Sequence, residues 1–342
     1  MAHLTPKENF LRCLKGEIPE WVPSYSYYGA LPGVDEDPPN MTLMLAPLMG
    51  AMGGDGYTDI WGVPYESVPL VGGFSLPKPG AFILKDVRKW RDVIKAPDLS
   101  NVDWEALVKE GLNTLPYSRD NVALILMLGG GYFMSFMGMM GFTEGLAALY
   151  EEPEEVKALF DYMHSFYMDI YNKVFNLAKP DILGLGDDTA AERAPFISPE
   201  MYREYLIPLY DDYCRPARIA GIAFDMHNCG KSGALFDDLV RIGINAWEPV
   251  QLSNDILELQ KKYGRHLIIG GGWEGRGRLT EPDVTDDEIR ESVRVCLDTY
   301  ARNGGFMFAG AYTPGSIDDQ KTQHWNEVLQ KEVYDYGHTF YK

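Results

Sequence analysis

From about residue 122 onward, short apolar runs alternate with amphipathic stretches. The apolar runs fall at Val122–Met127, Asp181–Leu185, Ile222–His227, Ala246–Val250, Leu267–Gly270 and Gly305–Ala309. Continuous runs of this kind suit parallel strands that are covered on both faces. Between them, the 3.6-residue period predicts helices over Glu154–Leu177, Ser198–Ile219, Phe236–Ile242, Asn254–Tyr263 and Asp286–Ala301, and a last helix from Gln320 towards Tyr336. Repeated strand-helix alternation implies a parallel sheet with helices outside it. At 342 residues the expected architecture is a closed (β/α)8 TIM barrel of the α/β class, one domain over residues 1–342.

The N-terminal part has a different rhythm. Thr5-Pro6-Lys7-Glu8 opens a helix, with Thr5 as N-cap, proline at the first helical position and Glu8 completing a capping box. From Pro19 to about Leu115 the pattern is irregular and rich in Gly and Pro, with short possible strands around Asp59–Tyr65. Residues 1–115 are therefore expected to be an N-terminal elaboration over one end of the barrel. A soft segment follows, in which Met127, Met134, Met137, Met139 and Met140 interleave with Tyr132, Phe133, Phe136 and Phe142. Its glycines at 129, 130, 131, 138 and 141 argue against a regular helix. It is expected to supply core and part of a pocket wall suited to an aromatic ligand.

Composition narrows the partners. The net charge is −19 with no Lys/Arg cluster, which excludes nucleic acid and anionic membrane surfaces as natural partners. No run of about 18 apolar residues occurs, and the opening residues carry lysines and glutamates in place of a signal-peptide core. A cytoplasmic protein is expected. The four cysteines, Cys13, Cys214, Cys229 and Cys296, lack a paired spacing, so reduced thiols are expected.

Polar residues gather where the strands should end. Asp187 and Asp188, His227 and Cys229, Glu248, Glu274 and Tyr312 all follow strand candidates, at the end where barrel enzymes build their sites. His227 and Cys229 stand at i and i+2 of one strand, so both side chains face the same way and could hold one metal. With Glu248 as third ligand the set suits zinc with one position open. A buried thiol and a hydrogen-bonded core histidine would be the structural alternative. Asp187 and Asp188 could hold a metal, orient a substrate or cap a helix. Gly270-Gly-Gly272-Trp-Glu-Gly275 matches a dinucleotide pattern by letter, but no helix opens there, so it reads as a loop carrying Glu274.

Together these segments resemble the uroporphyrinogen decarboxylase superfamily over nearly the whole chain. The resemblance rests on Thr5-Pro-Lys-Glu-Asn-Phe-Leu, Gly186-Asp-Asp188 followed by Ile197-Ser-Pro-Glu-Met-Tyr202, His227-Asn-Cys229-Gly230, Glu248-Pro-Val-Gln251 and Asn303-Gly-Gly305-Phe. It implies a (β/α)8 barrel and one of two chemistries: cofactor-free decarboxylation of uroporphyrinogen, or zinc-dependent methyl transfer to or from a corrinoid on a partner protein. The His-x-Cys belongs to the second. Decarboxylases of the family carry arginine near the N-terminus for the substrate carboxylates, and the matching Trp21-Val-Pro-Ser-Tyr-Ser-Tyr-Tyr28-Gly has none.

Relatives that methylate a thiol carry a further cysteine ligand near the final strand, where this chain has Phe308-Ala-Gly-Ala-Tyr312. Fewer thiolates make zinc a stronger Lewis acid, suited to an ether oxygen. The resemblance therefore implies an O-demethylase methyltransferase. Such an enzyme takes a methyl group from an aryl methyl ether (a methoxylated phenol) and gives it to cobalt(I) of a corrinoid protein. Zinc would sit on His227, Cys229 and Glu248, with Asp187 and Glu274 as alternative ligands or supporting groups. Tyr28, Phe136, Met137, Trp273 and Tyr312 would surround the aromatic ring. The alternatives are a metal-independent decarboxylase, a methylcobamide:thiol methyltransferase, and a barrel that only binds a corrinoid or its carrier.

Overall fold

The computed structural model describes residues 4–341 apart from 28, 46–47, 49, 54–55, 69–74, 130 and 313–319. Tyr28, expected at the ligand ring, therefore lies outside the described residues. The strands are β1 (Asn40–Leu43), β2 (Ala51–Gly53), β3 (Gly56–Thr58), β4 (Pro64–Ser67), β5 (Ser75–Pro77), β6 (Ala123–Met127), β7 (Ile182–Gly186), β8 (Ala223–His227), β9 (Ala246–Val250), β10 (Ile268–Gly271) and β11 (Phe306–Phe308). Two sheets result: a parallel one in the order β1-β6-β7-β8-β9-β10-β11 and an antiparallel one in the order β2-β3-β4-β5.

The parallel sheet curls until its edges are joined by the segment before β1. Ser24 bridges Phe308 of β11 in parallel, the Tyr25 amide donates to the Phe308 carbonyl at 2.7 Å, and the Phe308 amide donates to Pro23 at 2.8 Å. Towards β1, the Asn40 side chain accepts from the Ser26 amide and donates to its carbonyl, both at 2.9 Å. Residues 23–26 thus stand in the place of an eighth strand, and the fold is TIM-barrel-like. This corrects the reading of residues 19–115 as elaboration alone. Both the closing segment and β1 lack a long apolar run, and pairing with Phe308 and with Ala123–Leu126 makes them strands.

The antiparallel sheet contains the short strands expected around residue 59. Asp59 turns the chain there by accepting from the amides of Trp61 and Val63 at 2.9 and 2.8 Å, an aspartate-built turn. Trp61 then anchors the sheet by donating from Nε1 to Tyr167 Oη at 3.0 Å.

The helices follow the expected positions with two differences. The Ser198–Ile219 pattern is split into Pro199–Tyr205 and Ile207–Ala220, because Pro208 has no amide to continue the ladder. The methionine-rich segment is helical after all, as Tyr132–Met140 and Phe142–Glu151. Its glycines mostly sit outside the helices: Gly131 precedes the first, and Gly141, at φ 83°, separates the two. Gly138 lies inside the first, where a Cβ would come within 3.2 Å of Tyr65 Oη. Among the described residues, no helix is long and apolar enough to cross a membrane.

Strand alternation sorts the core. Leu124, Leu126, Leu183, Leu185, Phe224, Met226 and Trp247 pack outward against the helices. Ala123, Ile125, Ile182, Ala246, Ile268 and Met307 fill the interior together with Phe10, Cys13 and Leu14 of the first helix. By the same two-residue period, Asp225 and His227 of β8 and Glu248 of β9 point inward.

Candidate metal centre

His227 ends β8, and the parallel register sets it opposite Glu248 of β9. Two inward side chains on neighbouring strands are within reach of each other, and the Glu248 carboxylate takes His227 Nδ1 with both oxygens, at 2.9 and 3.1 Å. Tyr27 Oη donates to the same carboxylate at 2.6 Å. Glu248 is only 1% exposed, so its oxygens are engaged on the side of His227 away from Cys229. The other imidazole nitrogen, Nε2, lies 3.7 Å from Cys229 Sγ and 3.9 Å from Asp188 Oδ1.

Asp188 is brought there by the loop after β7. Its Oδ1 accepts from the Cys229 amide at 2.7 Å. Between His227 and Cys229, buried Asn228 fixes the turn: it donates to Thr189 Oγ1 at 2.8 Å, accepts from the Thr189 amide at 3.1 Å, and its carbonyl accepts from Trp247 Nε1 at 2.9 Å. One ligand atom each from Asp188, His227 and Cys229 lie within 4.8 Å of one another. Tetrahedral zinc with ordinary bond lengths places its ligand atoms about 3.3–3.8 Å apart, so oxygen, nitrogen and sulfur here need only a small inward adjustment. The donor set fits zinc.

The cluster that groups with His227 and Cys229 contains Asp188, whereas Glu248, expected as the third ligand, meets His227 at Nδ1. Cross-strand pairing is the reason, since it directs the glutamate to Nδ1, and the loop carrying Asp188 faces Nε2.

Charge in this cluster is balanced by contact. Burial disfavours the His227 imidazolium, but Glu248 and Cys229 together outweigh it and hold His227 well above its ordinary value. Burial raises the Cys229 thiol, against the pull of His227. Burial and the Glu248 charge push Tyr27 well above its usual range, so its hydroxyl is a donor. A metal binding here displaces protons from nitrogen and sulfur.

Asp187, the neighbour of Asp188, points elsewhere. It is buried and accepts from the amides of Phe133 and Met134, both at 2.9 Å, and from Tyr210 Oη at 2.6 Å. Those amides open the Tyr132–Met140 helix, whose own N-cap residue Gly131 has no side chain, so Asp187 caps it from β7. Burial raises its carboxyl to about 7, opposed by Tyr210 and the two amides. Asp187→Ala is expected to lose about 3 kcal/mol of stability, because buried donors are left unpaired, and to keep its metal. Chemical denaturation alongside metal analysis checks both.

The remaining candidates divide into two groups. Glu274 accepts from the Leu252 amide at 2.6 Å and pairs with Arg276, tying together the loops after β9 and β10. Trp273 and Tyr312 meet edge to face with centroids 5.0 Å apart, and Trp325 lies 5.1 Å from Tyr312. Tyr312 Oη is buried without a hydrogen-bond partner among the described residues. Phe136 and Met137, expected on a ligand wall, are instead core side chains at 0% and 1% exposure. They belong to a helix whose buried face packs on Phe160 and Gly145.

A family model described as Uroporphyrinogen decarboxylase (URO-D) matches residues 76–321. The chain belongs to this family. Among solved structures it is similar to a methyltransferase from Methanosarcina mazei at TM-score 0.60 and 14% identity, covering 98% of this chain and 99% of that one. It is also similar to a B12-independent methionine synthase from Shewanella sp. W3-18-1 at TM-score 0.46 and 10% identity, covering 80% and 73%. The first of these shows a shared fold. No curated protein sequence matches.

Within this family member the matched region contains Asp188, His227, Cys229 and Glu248 but begins after Tyr27. Tyr27, which bonds Glu248, is a residue of this cluster that sequence reasoning did not name. The signal was the alternation Tyr25-Ser26-Tyr27, a two-residue period that puts both tyrosines on one strand face.

Proposed function

We propose that this protein is a cytoplasmic, zinc-dependent methyltransferase, one barrel domain over residues 1–342, that moves a methyl group from an aryl methyl ether to the cobalt(I) of a corrinoid protein. The observation that carries the reading is the Asp188-His227-Cys229 cluster at the strand ends, with a single thiol among its donors. Zinc would be held by His227 Nε2, Cys229 Sγ and Asp188 Oδ1, and when bound it would supply Lewis acidity to the ether oxygen of the substrate.

The chain's own residues do the rest. Glu248 holds His227 by Nδ1 and so aims Nε2 at the ligand position. The Cys229 amide holds Asp188 in place. Trp273 and Tyr312 offer flat aromatic edges for a methoxylated ring, with the Tyr312 hydroxyl as a polar contact. In the transfer the methyl carbon–oxygen bond breaks and its electron pair stays on oxygen, giving a phenolate that takes a proton from solvent. The new bond to the methyl carbon forms from the electron pair of cobalt(I), a co-substrate brought by the partner protein.

An anaerobic assay tests the reading. With a cobalt(I) corrinoid carrier and a panel of methoxylated phenols, the corrinoid spectrum is expected to change in step with release of the free phenol, followed by chromatography. Methylation of a thiol from the methylated corrinoid, with no turnover of any aryl ether, would overturn it. So would decarboxylation of uroporphyrinogen.

A further inference from the structure

We infer that Tyr27 is a positioning residue for the metal centre: its hydroxyl holds the Glu248 carboxylate against His227 Nδ1, and so presents Nε2 to Cys229 and Asp188. The inference rests on the zinc reading above. A glutamate carboxylate turns about a broad terminal torsion, so one hydrogen bond to an imidazole leaves its plane undetermined. Here Glu248 Oε2 receives two donors, Tyr27 Oη at 2.6 Å and His227 Nδ1 at 2.9 Å, while Oε1 stays 3.1 Å from the same nitrogen. The carboxylate is thereby fixed at both ends of one short chain.

Tyr27 is itself held. Its ring lies edge-on to His227 at 6.3 Å and packs on Tyr25 at 4.9 Å. It directly follows residues 23–26, which join β11 to β1 through Phe308 and Asn40. Closure of the barrel seam and aim of the imidazole are therefore linked through one hydroxyl. A carboxylate on the far nitrogen of a metal-binding histidine is a common support. What this structure adds is a phenol that fixes the carboxylate, carried at the seam between β11 and β1, whereas the binding motif ends β8 in the middle of the sheet.

Chelator competition measures zinc affinity in the wild type, Tyr27→Phe, Glu248→Gln and the double variant. Tyr27→Phe keeps the ring and is expected to weaken zinc binding about tenfold, within the range for outer partners of metal ligands. The double variant is expected to bind no more weakly than Glu248→Gln, because Tyr27 acts through Glu248. Wild-type affinity in Tyr27→Phe, or losses that multiply in the double variant, would overturn the inference. A metal-free readout separates it from the zinc reading: the His227 Nδ1 nitrogen resonance in zinc-free protein should move in Tyr27→Phe. If the wild type holds no zinc yet that resonance moves, the zinc reading falls, and what stands is the hold of Tyr27 on His227 through Glu248. If the resonance does not move, the positioning role falls.

Discussion

Cys229→Ala is expected to lose stoichiometric zinc and, with it, methyl transfer. Cys229 supplies the only sulfur in the cluster of Asp188, His227 and Cys229, and thiolate is the donor that binds zinc most strongly there. Even the partners that only support metal ligands are worth about 10- to 100-fold in affinity, so removing the thiolate itself should exceed about a hundredfold. The fold should survive, because Cys229 is only partly buried and its backbone amide, which holds Asp188, is retained. The other thiols are controls. Cys13, Cys214 and Cys296 are buried, and burial pushes Cys13 and Cys296 up to about 12, so they stay protonated and inert. Cys296→Ala should keep its zinc. Elemental analysis of the purified variants decides the matter: full zinc in Cys229→Ala would remove this residue from the site.

The second large effect is expected one residue further on. Gly230 turns the chain away from the metal cluster at φ 83°, where L side chains are strained by about 1–3 kcal/mol. It also passes so close to the loop after β7 that a Cβ would overlap the Ala190 carbonyl and stand 2.8 Å from the Ala191 oxygen. The backbone on both sides is held, since the Ala191 carbonyl accepts from the Lys231 amide at 2.8 Å, Ala190 bridges Pro195 and the Gly230 carbonyl accepts from Asn254 Nδ2 at 2.9 Å. Overpacking against fixed backbone adds about 1–3 kcal/mol. Gly230→Ala is thus expected to destabilise the protein by about 2–6 kcal/mol on these two terms. It should also weaken zinc, because Cys229 and Asp188 sit on the two segments forced apart. Denaturation together with zinc titration checks the pair. Wild-type stability would mean that the turn after Cys229 relaxes without strain, and the account of the loop would fail.

Much of the barrel was legible in the sequence because burial on both faces of a parallel strand leaves a local trace, an unbroken apolar run. Runs at 122–127, 181–185 and 246–250 became β6, β7 and β9 within a residue or so. His227 and Cys229 were legible for a related reason. Two polar residues spaced at i and i+2 where such a run ends must share a face, whatever packs around them.

What the sequence determined by itself was therefore the set of strands, their capped helices, and the presence of an imidazole and a thiol at one strand end. The tertiary structure decided which atom of each residue meets which partner. Glu248 reached His227 Nδ1 because β8 and β9 pair in that register, and Asp188 came to the Nε2 side because the loop after β7 lies opposite. Asp187 became a helix cap because the Tyr132–Met140 helix begins above it, with Gly131 offering no cap of its own. Phe136 and Met137 went into the core by the same helix's rotation. Tyr27 joined the site only when residues 23–26 closed the seam beside β11. Periodicity is set by neighbours along the chain and can be read there, whereas the contact of Tyr27 with Glu248 spans most of its length and exists only once the sheet has closed.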